Sequence, residues 1–130
     1  MLKFTVDSVE VTWNPDVRIG TVLFGSGARP SHRDGTLLVE AMTRWIGTDP
    51  KPFAILGDGE KIIGGEPGYR SVMGGFFQRQ RETAYLALYN LSPELQVASQ
   101  MFATGTGLHF GSFASEAEAR AWLRSAGFDS

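Results

Sequence analysis

From Ser31 onward the chain switches repeatedly between two hydrophobic periods, and that alternation limits the folds open to it more than any motif does. Leu37, Leu38, Ala41, Met42, Trp45 and Ile46 recur at three- and four-residue spacing, which makes one apolar helix face. Ser31 or Asp34 is the expected N-cap, Gly47 the C-cap, and Pro50 forbids continuation. Phe53–Leu56 is apolar throughout and reads as a strand buried on both faces. Pro67 suits a first helical turn, and Tyr69, Val72, Met73, Phe76 and Phe77 form the stripe of a second helix. Thr83–Tyr89 is the next strand. Ser92-Pro93-Glu94 starts a third helix whose expected buried face is Leu95, Ala98, Met101 and Phe102. Leu108–Phe113 reads as the last strand. Ser115 and Glu118 form a capping box before a helix with Ala119, Trp122 and Leu123 inward and Gly127 as C-cap. Strands joined through helices must run parallel, with right-handed crossovers.

The first thirty residues follow a different rule. Leu2–Val6 alternates in strand fashion. Val9, Val11 and Trp13 alternate with Glu10 and Thr12, Asn14-Pro15-Asp16 makes a turn, and Val17, Ile19, Thr21 and Leu23 continue to Phe24. The expected fold is therefore α/β over residues 1–130 as a single domain. It has a mixed, mostly parallel sheet of about five strands, an N-terminal β-hairpin and about four helices. A chain of 130 residues with 42% hydrophobic content has enough apolar surface for one core. A net charge of −2 without any basic block argues against nucleic-acid binding. The absence of cysteine excludes disulfides, thiolate metal sites and a cysteine nucleophile. The opening MLKFTVDSVE lacks a signal-peptide pattern, and no apolar run is long enough to span a bilayer. The expectation is a cytoplasmic protein with no integral membrane association.

Function is sought first in the glycine-rich stretch Gly57–Gly75, GDGEKIIGGEPGYRSVMGG, because ligands of open α/β sheets sit at the carboxyl ends of strands. It reads as a strand end at Asp58, a loose acidic loop, and a helix start. Lys61-Ile62-Ile63 is placed to fold back on the core. Gly74-Gly75 lowers helix stability by roughly 1 kcal/mol each relative to alanine, and implies close packing against the sheet, a kink, or a marginal helix. The spacing matches neither a P-loop nor a dinucleotide fingerprint. Asp58, Glu60 and Glu66 do not follow the spacing of a calcium loop, so no metal and no cofactor are expected. His32 and His109 lie far apart, and no nucleophile elbow accompanies them. No catalytic residue is assigned. The candidate ligand or partner surface is Asp58, Glu60, Glu66, Tyr69, Arg70, Met73 and Phe77. Glu66 places a negative charge at a helix N-terminus, where the dipole favours one. Arg70 is suited to an acidic partner or a phosphate.

The run AYLALYNLSPELQVASQMF, followed by LHFGSFASEAEARAWL, resembles the STAS-like, SpoIIAA-like superfamily of small bacterial domains. Phe113, Ser115, Glu116, Ala119, Trp122 and Leu123 match the ending of its uncharacterised branch. The resemblance implies a non-enzymatic regulatory or protein-interaction module of the bacterial cytoplasm, with a protein partner. In the family's anti-sigma antagonists a phosphorylatable serine opens the helix after the central strand. Here that position reads Gly64-Gly65-Glu66-Pro67-Gly68, without a hydroxyl, and Ser71 comes a turn too late. No phosphoswitch serine is evident. Two alternatives stay open. One is a small apolar-ligand or lipid-binding domain, with the ligand between the glycine-rich helix and the sheet. The other is a hydrolase using Asp58 or Glu66. A free sheet edge could also pair with a second copy to make a homodimer.

Overall fold

A computed structural model describes residues 1–128. Its elements run β1 (Leu2–Val6), β2 (Val9–Asn14), β3 (Ile19–Phe24), α1 (His32–Ile46), β4 (Phe53–Asp58), α2 (Pro67–Arg79), β5 (Ala84–Tyr89), α3 (Pro93–Thr106), β6 (His109–Phe113) and α4 (Glu116–Ser125). The sheet has six strands in the order β1-β2-β3-β4-β5-β6. That matches the expected mixed, mostly parallel sheet of about five strands, with Leu2–Val6 pairing along its whole length with β2 as the edge strand. The β1–β2 and β2–β3 pairs are antiparallel; β3–β4, β4–β5 and β5–β6 are parallel.

Because each parallel strand is laid down beside the last, the right-handed rule puts all three crossover helices on one face. The packing agrees: α1 lies on β1 and β2, α2 on α1 and α3, and α3 on β6. The fourth helix alone covers the other face, against β4, β5 and β6. The first face carries the larger core, with Trp13, Phe53, Ile55, Phe76, Phe77 and Leu86. The second holds Ile19, Leu56, Ala87, Tyr89, Ala119 and Leu123. As expected for a central strand, β4 is buried from Phe53 to Gly57.

The helix starts follow the expected chemistry. Ser31 caps α1, and its side chain and that of Asp34 form a reciprocal box. Ser92 and Ser115 cap α3 and α4. The α4 box is altered: Glu118 Oε2 accepts from the Ala114 N–H, one residue before the cap. Helix α4 also stops at Ala126, not Gly127, which lies one residue further with φ 103°.

Two expectations fail. The loop between β4 and α2 is not loose. Gly27 N–H donates to Lys61 O, Ile63 N–H to Ala28 O, and Glu66 N–H to Pro30 O, so the loop is laced to the β3–α1 connection. The buried face of α3 is also displaced. Ala98 is exposed and Met101 is 71% exposed, while Ala103 and Thr106 are buried. Only part of α3 meets α2 and β6, so its remaining apolar side chains stay in water.

Candidate functional site

An apolar cleft with a volume of about 190 Å³ lies between the sheet and helices α2 and α3. Val22, Ile55, Leu86 and Leu88 form its floor. Met73 and Phe77 of α2 and Leu95 and Phe102 of α3 form its walls. Its origin lies in the helix packing. α2 lies mainly against α1 and α3 and meets the sheet through side chains such as Phe76, against Phe53 of β4. The approach to α1 is close because both helices carry glycine at the crossing. A methyl group at Gly68 would stand 2.7 Å from His32 Cβ, and one at Gly35 would stand 3.1 Å from the Tyr69 ring. On the other side Gly74 faces Phe102 of α3, where a methyl would fit at 3.6 Å. Gly74 thus faces α3 with room to spare and Gly75 meets only Arg79 of its own helix, so neither marks close packing against the sheet. Gly57, between Val22 and Leu88 in the floor, lets Leu88 pack close over the strand: a methyl there would stand 2.8 Å from Leu88 Cδ2.

The seven candidate residues separate. Tyr69, Arg70, Met73 and Phe77 line this cleft. Phe77 is only 3% exposed and touches Phe76 and Phe102 edge-on, so it is a core residue rather than a contact surface. Tyr69 is wedged between Gly35 and Gly65; a methyl at Gly65 would stand 2.7 Å from its ring. Burial, with the Asp34 carboxylate nearby, pushes the Tyr69 phenol up to about 12. Arg70 is exposed at the solvent end of the cleft. Glu66 is the N-cap residue of α2 but makes no capping hydrogen bond with its side chain, so only its charge assists the helix. Glu60 is exposed in the loop.

Asp58 turns away from the cleft. Its Oδ1 accepts from the Glu60 N–H at 3.0 Å and from Asn90 Nδ2 at 3.4 Å. There it joins a polar cluster at the carboxyl ends of β4 and β5 that sequence reasoning missed. Tyr89 Oη donates to Glu116 Oε1 at 3.2 Å, and Arg120 Nε donates to Glu116 Oε2 at 2.7 Å. The Arg120 hydrogen bond holds Glu116 below the usual carboxylate range, against the effect of burial. Burial and the Glu116 charge push Tyr89 up to about 12. The cluster therefore holds an ionised acid and a protonated phenol that tie α4 to β5. The capping signal at Ser115 pointed to Glu116 only as a helix residue. Neither histidine joins it: His109 stacks on Tyr85 at 4.3 Å, and His32 is exposed against Gly68. Among the described residues no three His, Asp or Glu side chains converge as metal ligands.

A second acidic pair was also invisible in the sequence. Asp34 is 4% exposed, and its Oδ1 has no hydrogen-bond partner among the described residues. The contact with Asp34 raises Asp7. Burial opposes the charge of Asp34, but the Ser31 backbone N–H and the contacts with Asp7 and Ser31 outweigh it and lower its pKa.

Among the described residues no helix is long and apolar enough to cross a membrane. No family model matches the chain, and no curated protein matches it. In fold it is similar to a chain from the crystal structure of diguanylate cyclase SiaD in complex with its activator SiaC from Pseudomonas aeruginosa. That match has a TM-score of 0.64 at 7% identity and covers 88% of this chain and 100% of that one, a likeness of fold.

Proposed function

We propose that the chain is a non-enzymatic regulatory or protein-interaction module, a single domain of STAS-like type without a phosphorylatable serine at the switch position. The observation that carries this reading is the outer face of α3. Val97 and Met101, one turn apart, are 62% and 71% exposed, and Glu94 is the only charged residue of the helix. Large apolar side chains grouped on a surface mark interaction sites, and methionine adapts to varied partners. Ile63, 62% exposed, stands in the loop that shares the cleft with α3. The partner surface then runs from this loop, with Glu60 and Glu66, past Arg70 to the outer face of α3. The fold likeness to a chain from an enzyme–activator complex supports a role in assembly.

The test is capture of binding partners from the native host by wild type and by Val97→Glu/Met101→Glu. The double variant, changed only at exposed positions, is expected to keep its thermal midpoint and lose the specific partner. A partner held equally by both proteins places the interface elsewhere and rejects this surface.

A further inference from the structure

The cleft under α2 differs chemically from the outer face of α3. Its floor and walls are aliphatic and aromatic, and a single charged residue, Arg70, belongs to its lining. Arg70 sits at the exposed end and makes no ion pair among the described residues. Its guanidinium carries a full positive charge at any ordinary pH and matches carboxylate and phosphate oxygens in pairs. One carboxylate competes with any ligand there: Glu66, a turn earlier at the N-cap of α2. Its side chain is directed neither to the cap amides nor into an ion pair with Arg70.

We propose that this cleft binds a small amphipathic anion, a linear alkyl chain ended by a carboxylate, with the chain over Gly57 and the head at Arg70. Size sets the class. An apolar cavity of about 150 Å³ takes benzene, with six carbons, so about 190 Å³ takes roughly eight. Shape agrees, because the floor of Val22, Ile55, Leu86 and Leu88 is apolar and Gly57 lines it without a side chain of its own. The loop glycines Gly64 and Gly65 also line the cleft and put no side chain across it. Charge decides between a neutral and an anionic ligand: a chain fully inside leaves its head at the one cation. The proposal depends on the cleft alone, and is independent of the partner surface at Val97 and Met101, which do not line it.

The experiment is a titration of the intact protein with octanoate, octanol and acetate, followed through side-chain methyl NMR signals. Octanoate is expected to give saturable shifts at Met73, Leu86 and Leu88, and none at Leu123, which lies under α4 on the far face. Acetate, which has no chain, should leave all of them unchanged. Octanol, which has no charge, should bind the same methyls more weakly. Arg70→Gln is expected to weaken octanoate about fivefold, the scale of one partly exposed ion pair, and to leave octanol unaffected. Ala98→Trp, at an exposed position of the mouth, should block both alkyl ligands while the far-face signals stay in place. Shifts that never saturate, equal responses to octanoate and acetate, equal affinity for octanol and octanoate, or binding untouched by Ala98→Trp would each overturn the proposal.

Discussion

Asp34 illustrates how much a single residue's surroundings can add to its type. In the sequence it is one of two possible caps; in the structure it completes the α1 capping box from the third helical position and leans on Asp7. Ser31→Ala should destabilise the protein by about 1 kcal/mol in urea, and Asp34→Ala by about 1–2 kcal/mol, since it removes the reciprocal bond as well. Tyr69 and Tyr89 are both pushed up to about 12, chiefly by burial. A raised pKa means stability that is intact below the unfolded value near 10 and is lost as pH rises through 10 toward 12. Spectrophotometric titration should therefore show two of the three tyrosines ionising late, with alkaline unfolding. Tyr89→Phe should lessen the loss of stability over that window. For Glu116 the sign is opposite. Its lowered pKa contributes stability above the usual carboxylate value, lost as pH falls below it, and the exposed Arg120 pair limits this to at most about 1 kcal/mol. Glu116→Gln should flatten the stability profile between pH 5 and 3, roughly the carboxylate range.

At the scale of elements, α2 is where sequence and packing pull in different directions. Its glycines lower helix propensity, yet they are not equivalent. Gly68 and Gly35 let α1 and α2 meet, whereas Gly74 has room for a methyl. Gly74→Ala is expected to raise stability by about 0.5–1 kcal/mol, because it gains propensity without a clash. Gly68→Ala should destabilise clearly, since its methyl would collide with a Cβ, an atom that no rotamer change can move. Thermal unfolding of the two variants distinguishes them by the sign of the change. Helix α3 shows why amphipathic stripes are harder to assign than caps. Its apolar residues surround the helix almost evenly, so Ser92, Pro93 and Gly107 marked its ends correctly while periodicity misassigned Met101 to the core.

At the scale of the molecule, sequential strand order puts three helices on one face and one on the other. The helix-rich face supplies both the core and the cleft, so a core mutation there affects each. Phe76, fully buried and in contact with Phe53 and Phe77, is the keystone of that layer. Phe76→Ala should destabilise by about 3–5 kcal/mol, measured by urea denaturation. Val97→Glu/Met101→Glu, on the outside of the same layer, should stay within about 0.5 kcal/mol of wild type. The contrast separates loss of fold from loss of binding.

Local chemistry was enough to define the elements. Caps at Ser31, Ser92 and Ser115, prolines at first turns, and the switch between periods of two and 3.6 are readable because they depend on neighbours a few residues away. The hairpin and the parallel second half follow from the same signals. Only the tertiary structure decided the lacing of the glycine-rich loop, the exposure of Met101, and the separation of Asp58 from Tyr69, Arg70 and Met73. Each depends on which surfaces meet across distant parts of the chain. The cleft is the clearest case: it is the space left where Gly35 and Gly68 draw α2 toward α1, over a floor of Val22, Ile55, Leu86 and Leu88. Residue spacing along the chain carries no measure of that space.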